Sequence, residues 1–216
     1  MRYSDIKLVE SKVHNVQLNE GARIDHAEDI VFWEGSRGAM RAVEALKNLE
    51  GDSHKDVTLK WDGSPAIIFG RGENGEFIFT DKSGFGKKGG VGRTSSPDAL
   101  KQELLGRSGG KNKDDPGRIA FANSMATIFS LYEKAVPSDF RGYFKGDLLY
   151  YNTPQVQKGN YVFKPNIVEY AVDVNSDLGK RIGASTTGVV VHREVDAEGN
   201  EGALKNADIF QGNDVL

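Results

Sequence analysis

The pair Asn74-Gly75, which lies between two short apolar runs, restricts the fold of this chain more than any other feature. The runs occupy 66–69 and 76–80, and each has the length of a single strand. Asn-Gly favours the two-residue turns of hairpins, because both positions of those turns need a positive φ. A third short run, 57–60, precedes the pair. This part of the chain therefore predicts an antiparallel hairpin that follows another strand.

Helical periodicity is predicted on both sides of this hairpin. The predicted helices are 36–49, a short helix that begins after Ser96 and ends near 105, and 119–135. Further strands are predicted at 143–150, 161–163, 167–174 and 188–192, and a Gly/Lys-rich loop at 81–93. We therefore expect the α+β class, with antiparallel sheets flanked by helices.

The composition excludes several classes of protein. The chain of 216 residues has no cysteine, so disulfides and thiolate metal sites are excluded. No apolar run approaches the roughly 18 residues that a membrane span needs. The net charge of −3 argues mildly against non-specific nucleic-acid binding, although lysines and arginines cluster between 82 and 118. We expect a cytoplasmic protein with no membrane partner.

We expect one domain over 1–216, and a monomer. An N-terminal helical segment (1–56) would precede the core (57–192), and 193–216 would form a tail. Only 24 residues follow His192, which is too short a segment for an OB-fold domain.

Lys60 is the strongest candidate for chemistry, because it ends a predicted strand and precedes Asp62-Gly63 in a turn. A lysine amine attacks only when deprotonated, so its ordinary pKa of about 10.4 must be lowered by nearby cations or desolvation. Gly63 permits a tight turn, and Asp62 can accept hydrogen bonds there. The alternative is ordinary hairpin chemistry, since K-x-D-G arises by chance in about one chain in twenty of this size.

Four further segments follow Lys60-Trp61-Asp62-Gly63 in a particular order. They are TDKSG at 80–84, YFKGDLL at 143–149, Tyr170 in a later strand and TGVVV at 187–191. In this order the chain resembles the covalent nucleotidyltransferases, which include ATP-dependent DNA ligases, RNA ligases and mRNA capping enzymes. The pattern also resembles ligase-like proteins of large tailed marine phages, and the resemblance covers 58–192.

The resemblance implies a ligase-type adenylation domain that uses ATP and Mg²⁺ to join DNA or RNA at a nicked duplex or at strand ends. If the protein is viral, it would act in the cytoplasm of an infected host cell. The catalytic residues implied are Lys60, which would carry AMP, Asp62 and Asp147, and Asp147 would also bind the metal. The cofactor-binding residues implied are Lys60, Trp61, Gly63, Tyr170, Val190 and Lys205. Those implied for nucleic-acid phosphates are Lys82, Lys87, Lys88 and Arg93.

The chain departs from the pattern of the family at several motif positions. Thr187 stands where the family usually has a metal-binding Glu, and Asp147 replaces the usual Glu of the third motif. The family usually has two lysines in its fifth motif, which hold the ATP phosphates, whereas here only Lys205 is positioned to serve. Either Lys205 acts alone, or the basic residues Lys164, Lys180 and Arg181 contribute, or the chain lacks its tail.

Several alternatives stay open. The chain could be a non-catalytic nucleotide- or nucleic-acid-binding module of the same fold, a phage structural protein, or a capping-type enzyme that uses GTP. Phe85 could pack inside its loop or stack on a base. For His192, a structural role is favoured over a phosphate contact.

Overall fold

The structure is a computed structural model that describes residues 29–48, 61–107, 113–205 and 209–216. The chain divides into two compact units, Met1–Lys60 and Trp61–Leu216. Lys60 and the predicted strand 57–60 lie outside the described residues.

The described part of the first unit is a pair of helices. Helix α1 (Asp29–Glu34) and helix α2 (Ser36–Asn48) meet at Gly35, whose φ is +58°. Glycine adopts this left-handed conformation without steric cost. Helix α2 confirms the helix predicted at 36–49.

The described part of the second unit contains two antiparallel sheets and four helices. The strands are β1 (Ala66–Arg71), β2 (Phe77–Asp81), β3 (Gly142–Tyr150), β4 (Gln155–Gln157), β5 (Asn160–Phe163), β6 (Tyr170–Asp173), β7 (Gly188–Val195) and β8 (Glu201–Ala203). The helices are α3 (Lys82–Phe85), α4 (Pro97–Gly106), α5 (Pro116–Ala135) and α6 (Asp177–Ala184). The large sheet has the order β2-β1-β3-β7-β8 and the small sheet the order β4-β5-β6. The α+β class with antiparallel sheets and flanking helices is therefore confirmed.

The hairpin predicted around Asn74-Gly75 is present, and β1 pairs with β2 in antiparallel register. The turn is longer than the two-residue type, because β1 ends at Arg71 and β2 begins at Phe77, and only Gly75 of the Asn-Gly pair has a positive φ, at +79°. Helix α4 begins where the sequence indicates, because Ser96 accepts a hydrogen bond from Ala99 N. Helix α5 begins at Pro116, earlier than the predicted 119, because Asp115 caps it by accepting a hydrogen bond from Arg118 N.

The main core lies between one face of the large sheet and helices α4 and α5. Alternate residues of β1 and β2 face these helices, as the two-residue period of a strand requires. The core includes Ile67, Phe69, Phe77, Phe79, Leu100, Leu104, Met125, Ile128, Phe129, Tyr132, Phe144 and Leu148. Phe69 contacts Tyr132 edge-on, with ring centroids 4.9 Å apart.

The prediction of a loop at 81–93 is wrong in part, because the segment contains α3 and a 3-10 turn over Lys88–Gly90. Asp81 caps α3 by accepting a hydrogen bond from Gly84 N. Phe85 is buried, and its ring lies 5.0 Å from that of Tyr143. Phe85 therefore packs inside the protein, and the alternative that it stacks on a base is wrong.

The small sheet and α6 enclose a second apolar cluster at one end of β3. Its buried members are Leu149, Tyr150, Phe163, Tyr170 and Ile182. The sequence did not predict α6, because Gly179 and Gly183 lower helix propensity. Both glycines are needed for close packing: a Cβ at Gly179 would lie 2.9 Å from the carbonyl carbon of Asp173.

Two more differences concern strands. The strand predicted at 167–174 is shorter, since β6 begins at Tyr170 and Ile167 is exposed. Strands β4 and β8 were not predicted, and each has three exposed residues with no apolar alternation. Among the described helices, none is long and apolar enough to cross a membrane.

Candidate functional site

The turn that follows Lys60 in the chain packs against the end of β3. Ser64 N donates a hydrogen bond to the Leu148 carbonyl (2.9 Å), and Leu148 N donates to the Pro65 carbonyl (3.0 Å). A Cβ at Gly63 would lie 2.9 Å from the Cβ of Asp147. Gly63 is thus required for close approach to β3, whereas the sequence suggested a tight turn.

Tyr170, which lies on β6 of the small sheet, contacts the same turn. Its hydroxyl accepts a hydrogen bond from Asp62 N at 2.7 Å, and its ring centroid lies 4.7 Å from that of Trp61. The side-chain amide of Asn166 donates to Asp62 Oδ2 at 3.0 Å. Tyr170 is therefore brought together with Trp61 and Asp62, from which it is far away in sequence.

The side chains of Asp147 and His192 contact each other across two neighbouring strands. His192 Nε2 lies 2.9 Å from Asp147 Oδ2, with 30% and 22% of the two side chains exposed. Val190 is the direct partner of Asp147 in the β3–β7 register. Both strands thus present polar groups next to the turn that contains Gly63.

A cavity of about 540 Å³ lies beside Trp61 and Val190. This volume lies within the range of small-molecule sites, roughly 300–1,000 Å³. The cavity is lined by Trp61, Tyr150, Phe163, Leu178, Arg181, Ile182 and Val190, together with residues of β7 and of 204–216. Aromatic and aliphatic side chains therefore form most of its wall.

Thr187 does not point a polar group towards Asp147. It is fully buried, and its hydroxyl donates to the Tyr150 carbonyl at 2.7 Å. The Tyr150 hydroxyl lies 2.7 Å from Ser185 Oγ. Burial raises the pKa of Tyr150, whereas the hydrogen bond with Ser185 and the charge of Arg181 act in the opposite direction.

The basic residues predicted to bind nucleic-acid phosphates lie in the segment that follows β2. Lys87 forms an ion pair with Glu103, and Lys82 lies 4.0 Å from Glu201. Arg93 stands over the ring of Phe85 at 4.0 Å and donates to the Ala197 carbonyl. Lys88 is exposed. Lys87 and Arg93 thus have protein partners, and none of the four has a contact with the residues around Asp147 among those described.

The backbone of Lys205 contacts Glu194 of β7. Its backbone N donates to Glu194 Oε1 at 2.8 Å, four residues beyond Val190. The residue before it, Leu204, lines the cavity. The position of Lys205 therefore gives no direct contact with Asp147 or Tyr170.

The sequence did not identify the pair that His192 forms with Asp147, nor the contact of Asn166 with Asp62. The position of His192 in a strand favoured a structural role. Its place two residues after Val190 was the available indication that it lies near Asp147. Across the described residues, no group of three or more His, Asp or Glu side chains could hold a metal ion. Asp147 is thus a single carboxylate beside a histidine.

Together, the fold and the site define an α+β protein whose antiparallel sheets border an aromatic cavity and a His-Asp pair. A family model described as a family of unknown function (DUF6267) matches residues 21–96 and 115–210. The chain belongs to this family. No curated protein and no solved structure matches the chain.

Proposed function

We propose that the protein is a ligase-type nucleotidyltransferase that captures AMP from ATP on Lys60 and transfers it to a 5′-phosphate, before joining to a 3′-hydroxyl of DNA or RNA. The observation that carries the proposal is the convergence of five residues from four separate motifs. Trp61, Gly63, Asp147, Tyr170 and Val190 meet around one turn, and two of them, Trp61 and Val190, line the cavity. The residue that precedes Trp61 in the chain is Lys60.

The chemistry proceeds by covalent catalysis. The Lys60 amine, once deprotonated, forms a bond to the α-phosphorus of ATP while the bond to pyrophosphate breaks. A 5′-phosphate oxygen of the nucleic acid then attacks that phosphorus, and the P–N bond breaks. Finally a 3′-hydroxyl attacks the 5′-phosphorus, and AMP leaves.

Of the residues predicted to contact ATP, Trp61, Tyr170 and Val190 would border the base, and Asp147 would contact the ribose or hold Mg²⁺. A site of this kind fits Mg²⁺, which proteins often bind through one or two carboxylates together with substrate phosphates. When bound, Mg²⁺ would neutralise charge on the phosphate oxygens.

The test is covalent labelling. The protein is incubated with Mg²⁺ and ATP labelled at the α-phosphate, denatured, and separated by electrophoresis. We expect a labelled band in the wild type and none in Lys60→Ala. A band from the wild type that is lost in acid and kept in alkali would identify a phosphoramidate.

Lys55→Ala is the matched control, because Lys55 lies in the same segment of sequence and in no motif. It should keep the label. An unlabelled wild type, or a label that persists in Lys60→Ala, would refute the proposal. Labelling with GTP in place of ATP would select a capping-type enzyme.

A second function is favoured by one observation, the position of Thr187. The covalent nucleotidyltransferases usually have a metal-binding Glu at this position. Thr187 is instead buried, and its hydroxyl donates a hydrogen bond to the Tyr150 carbonyl. A non-catalytic nucleotide-binding module of the same fold would bind ATP without covalent transfer. Calorimetric binding of ATP by a wild type that gives no labelled band would select this function.

A further inference from the structure

Helix α6 places one cation at the cavity. Leu178 and Ile182 are four residues apart, so they share one face of the helix, and both line the cavity. Arg181 lies between them in sequence and is also in the wall. Among the described residues that line the cavity, Arg181 is the one with a charged side chain.

The charge of Arg181 is not neutralised by an ion pair within the described part of the chain. Its neighbour Lys180 does have such a partner, since Lys180 Nζ lies 3.7 Å from Asp177 Oδ1. Arg181 is exposed, but it is close enough to Tyr150 for its charge to act on that hydroxyl, which is buried in the cavity wall. The guanidinium is therefore near the apolar interior and keeps its donors available.

We propose that Arg181 is the anion-binding residue of this cavity, so that the cavity takes a ligand with a flat aromatic ring and a phosphate group. The ring would pack against Trp61 and Phe163, whose planes are nearly parallel at 9° with centroids 6.3 Å apart. Arg181 would bind the phosphate, because its planar fork of donors matches phosphate oxygens.

This inference rests on the proposed function in its choice of ligand, a nucleoside phosphate. It narrows the assignment of the phosphate-binding residue. The resemblance implied Lys205, alone or with Lys164, Lys180 and Arg181, but the backbone of Lys205 is held at Glu194. Arg181 is instead in the same wall as Trp61 and Val190.

The test uses AMP and adenosine, which are not donors for covalent capture. Their dissociation constants are measured by calorimetry for the full chain. For Arg181→Gln we expect AMP to bind about tenfold or more weakly, because a charge-assisted hydrogen bond is lost. Adenosine should bind the variant within about twofold of the wild type, since it lacks the phosphate.

Lys180→Gln is the matched control, as it removes the same charge from the adjacent position of the same helix. It should bind AMP as the wild type does. Val190→Phe fills the cavity and should weaken AMP and adenosine alike, and circular dichroism checks that each variant is folded.

The outcomes separate this inference from the proposed function. If Lys60 is labelled by ATP but Arg181→Gln binds AMP like the wild type, the inference is refuted and the proposed function stands. If AMP binding depends on Arg181 and Lys60 is never labelled, the proposed function is refuted and the inference stands. Equal losses in Arg181→Gln and Lys180→Gln would refute the inference, as would a wild type that binds neither probe.

Discussion

Two charged regions of the second unit differ in how their side chains are used. In the Arg107 cluster (Asp81, Lys87, Glu103 and Arg107), Arg107 binds both carboxylates, and between 8% and 16% of these three side chains is exposed. In the Asp147 site (Trp61–Gly63, Asp147, Tyr170, Val190 and His192), 22% of Asp147 and 30% of His192 remain exposed. The first region is closed by its own ion pairs, whereas the second still presents polar atoms to solvent.

The electrostatics of the Arg107 cluster support a structural role. Burial disfavours the charge of Arg107, but hydrogen bonds with Asp81 and Glu103 outweigh this effect and raise its pKa. Asp81 also caps α3, so Arg107 connects the end of α4 to the segment that follows β2. A cluster of basic residues in the sequence therefore indicates a ligand site only when its charges lack partners in the protein.

The largest expected effect follows from breaking the Arg107 cluster. Arg107→Met would leave the carboxylates of Asp81 and Glu103 without their main partner. Loss of one member of a buried pair typically costs about 3–5 kcal/mol. We expect the free energy of unfolding in urea to fall by about this amount.

Arg181→Met is the control for this prediction, because Arg181 is exposed and forms no ion pair among the described residues. It should change the free energy of unfolding by less than about 0.5 kcal/mol. Comparable losses in the two variants would show that the distinction between the regions is wrong.

How much of this could be predicted from sequence depends on how local each interaction is. The hairpin at Asn74-Gly75 and the start of α4 at Ser96 were predicted, because turns and caps depend on a few neighbouring residues. Helix α6 was not, because its glycines are explained only by contacts with β5 and the end of β6. Strands β4 and β8 lack a buried face and so lack a pattern.

For the candidate site, the order of motifs anticipated which residues meet, but not how they are bonded. Asp62 and Tyr170 were named separately, and their hydrogen bond joins positions 108 residues apart. The pair between Asp147 and His192 depends on the register of β3 and β7, which includes an irregularity between Lys145 and Gly146. Sequence spacing alone does not give that register.

A smaller effect is expected from the hydrogen bond that holds the turn after Lys60. Tyr170→Phe removes the acceptor for Asp62 N but keeps the ring against Trp61. An ordinary hydrogen bond contributes about 1 kcal/mol, so urea unfolding should show a loss of that size. If this bond positions the turn for chemistry, the initial rate of AMP labelling should also fall.

Tyr161→Phe provides the comparison within the same sheet, since Tyr161 lies on β5 and packs against Gly183 of α6. It should leave the labelling rate unchanged. If both variants label like the wild type while Tyr170→Phe loses stability, Tyr170 serves the fold alone, and the second region is less distinct from the first.

The smallest effect concerns Lys145 and Glu201, which lie on the large sheet between the two regions. The hydrogen bond from Lys145 holds the pKa of Glu201 below its ordinary value. A carboxyl whose pKa is lowered by folding stabilises the protein above the unfolded value, about 4.3, and this contribution is lost as the pH falls through the folded value. Because Glu201 is partly exposed, the pair should contribute less than about 1 kcal/mol.

We therefore expect Lys145→Met to be slightly less stable than the wild type at pH 7, with the difference decreasing on acidification below about pH 4. Unfolding in urea at several pH values measures this. Lys82→Met should show almost no difference at any pH, since Lys82 is 4.0 Å from Glu201 and 63% of its side chain is exposed. A stability difference for Lys145→Met that stays constant or grows as the pH falls would contradict this prediction, because Lys145 would then stabilise the protein by something other than its pair with ionised Glu201.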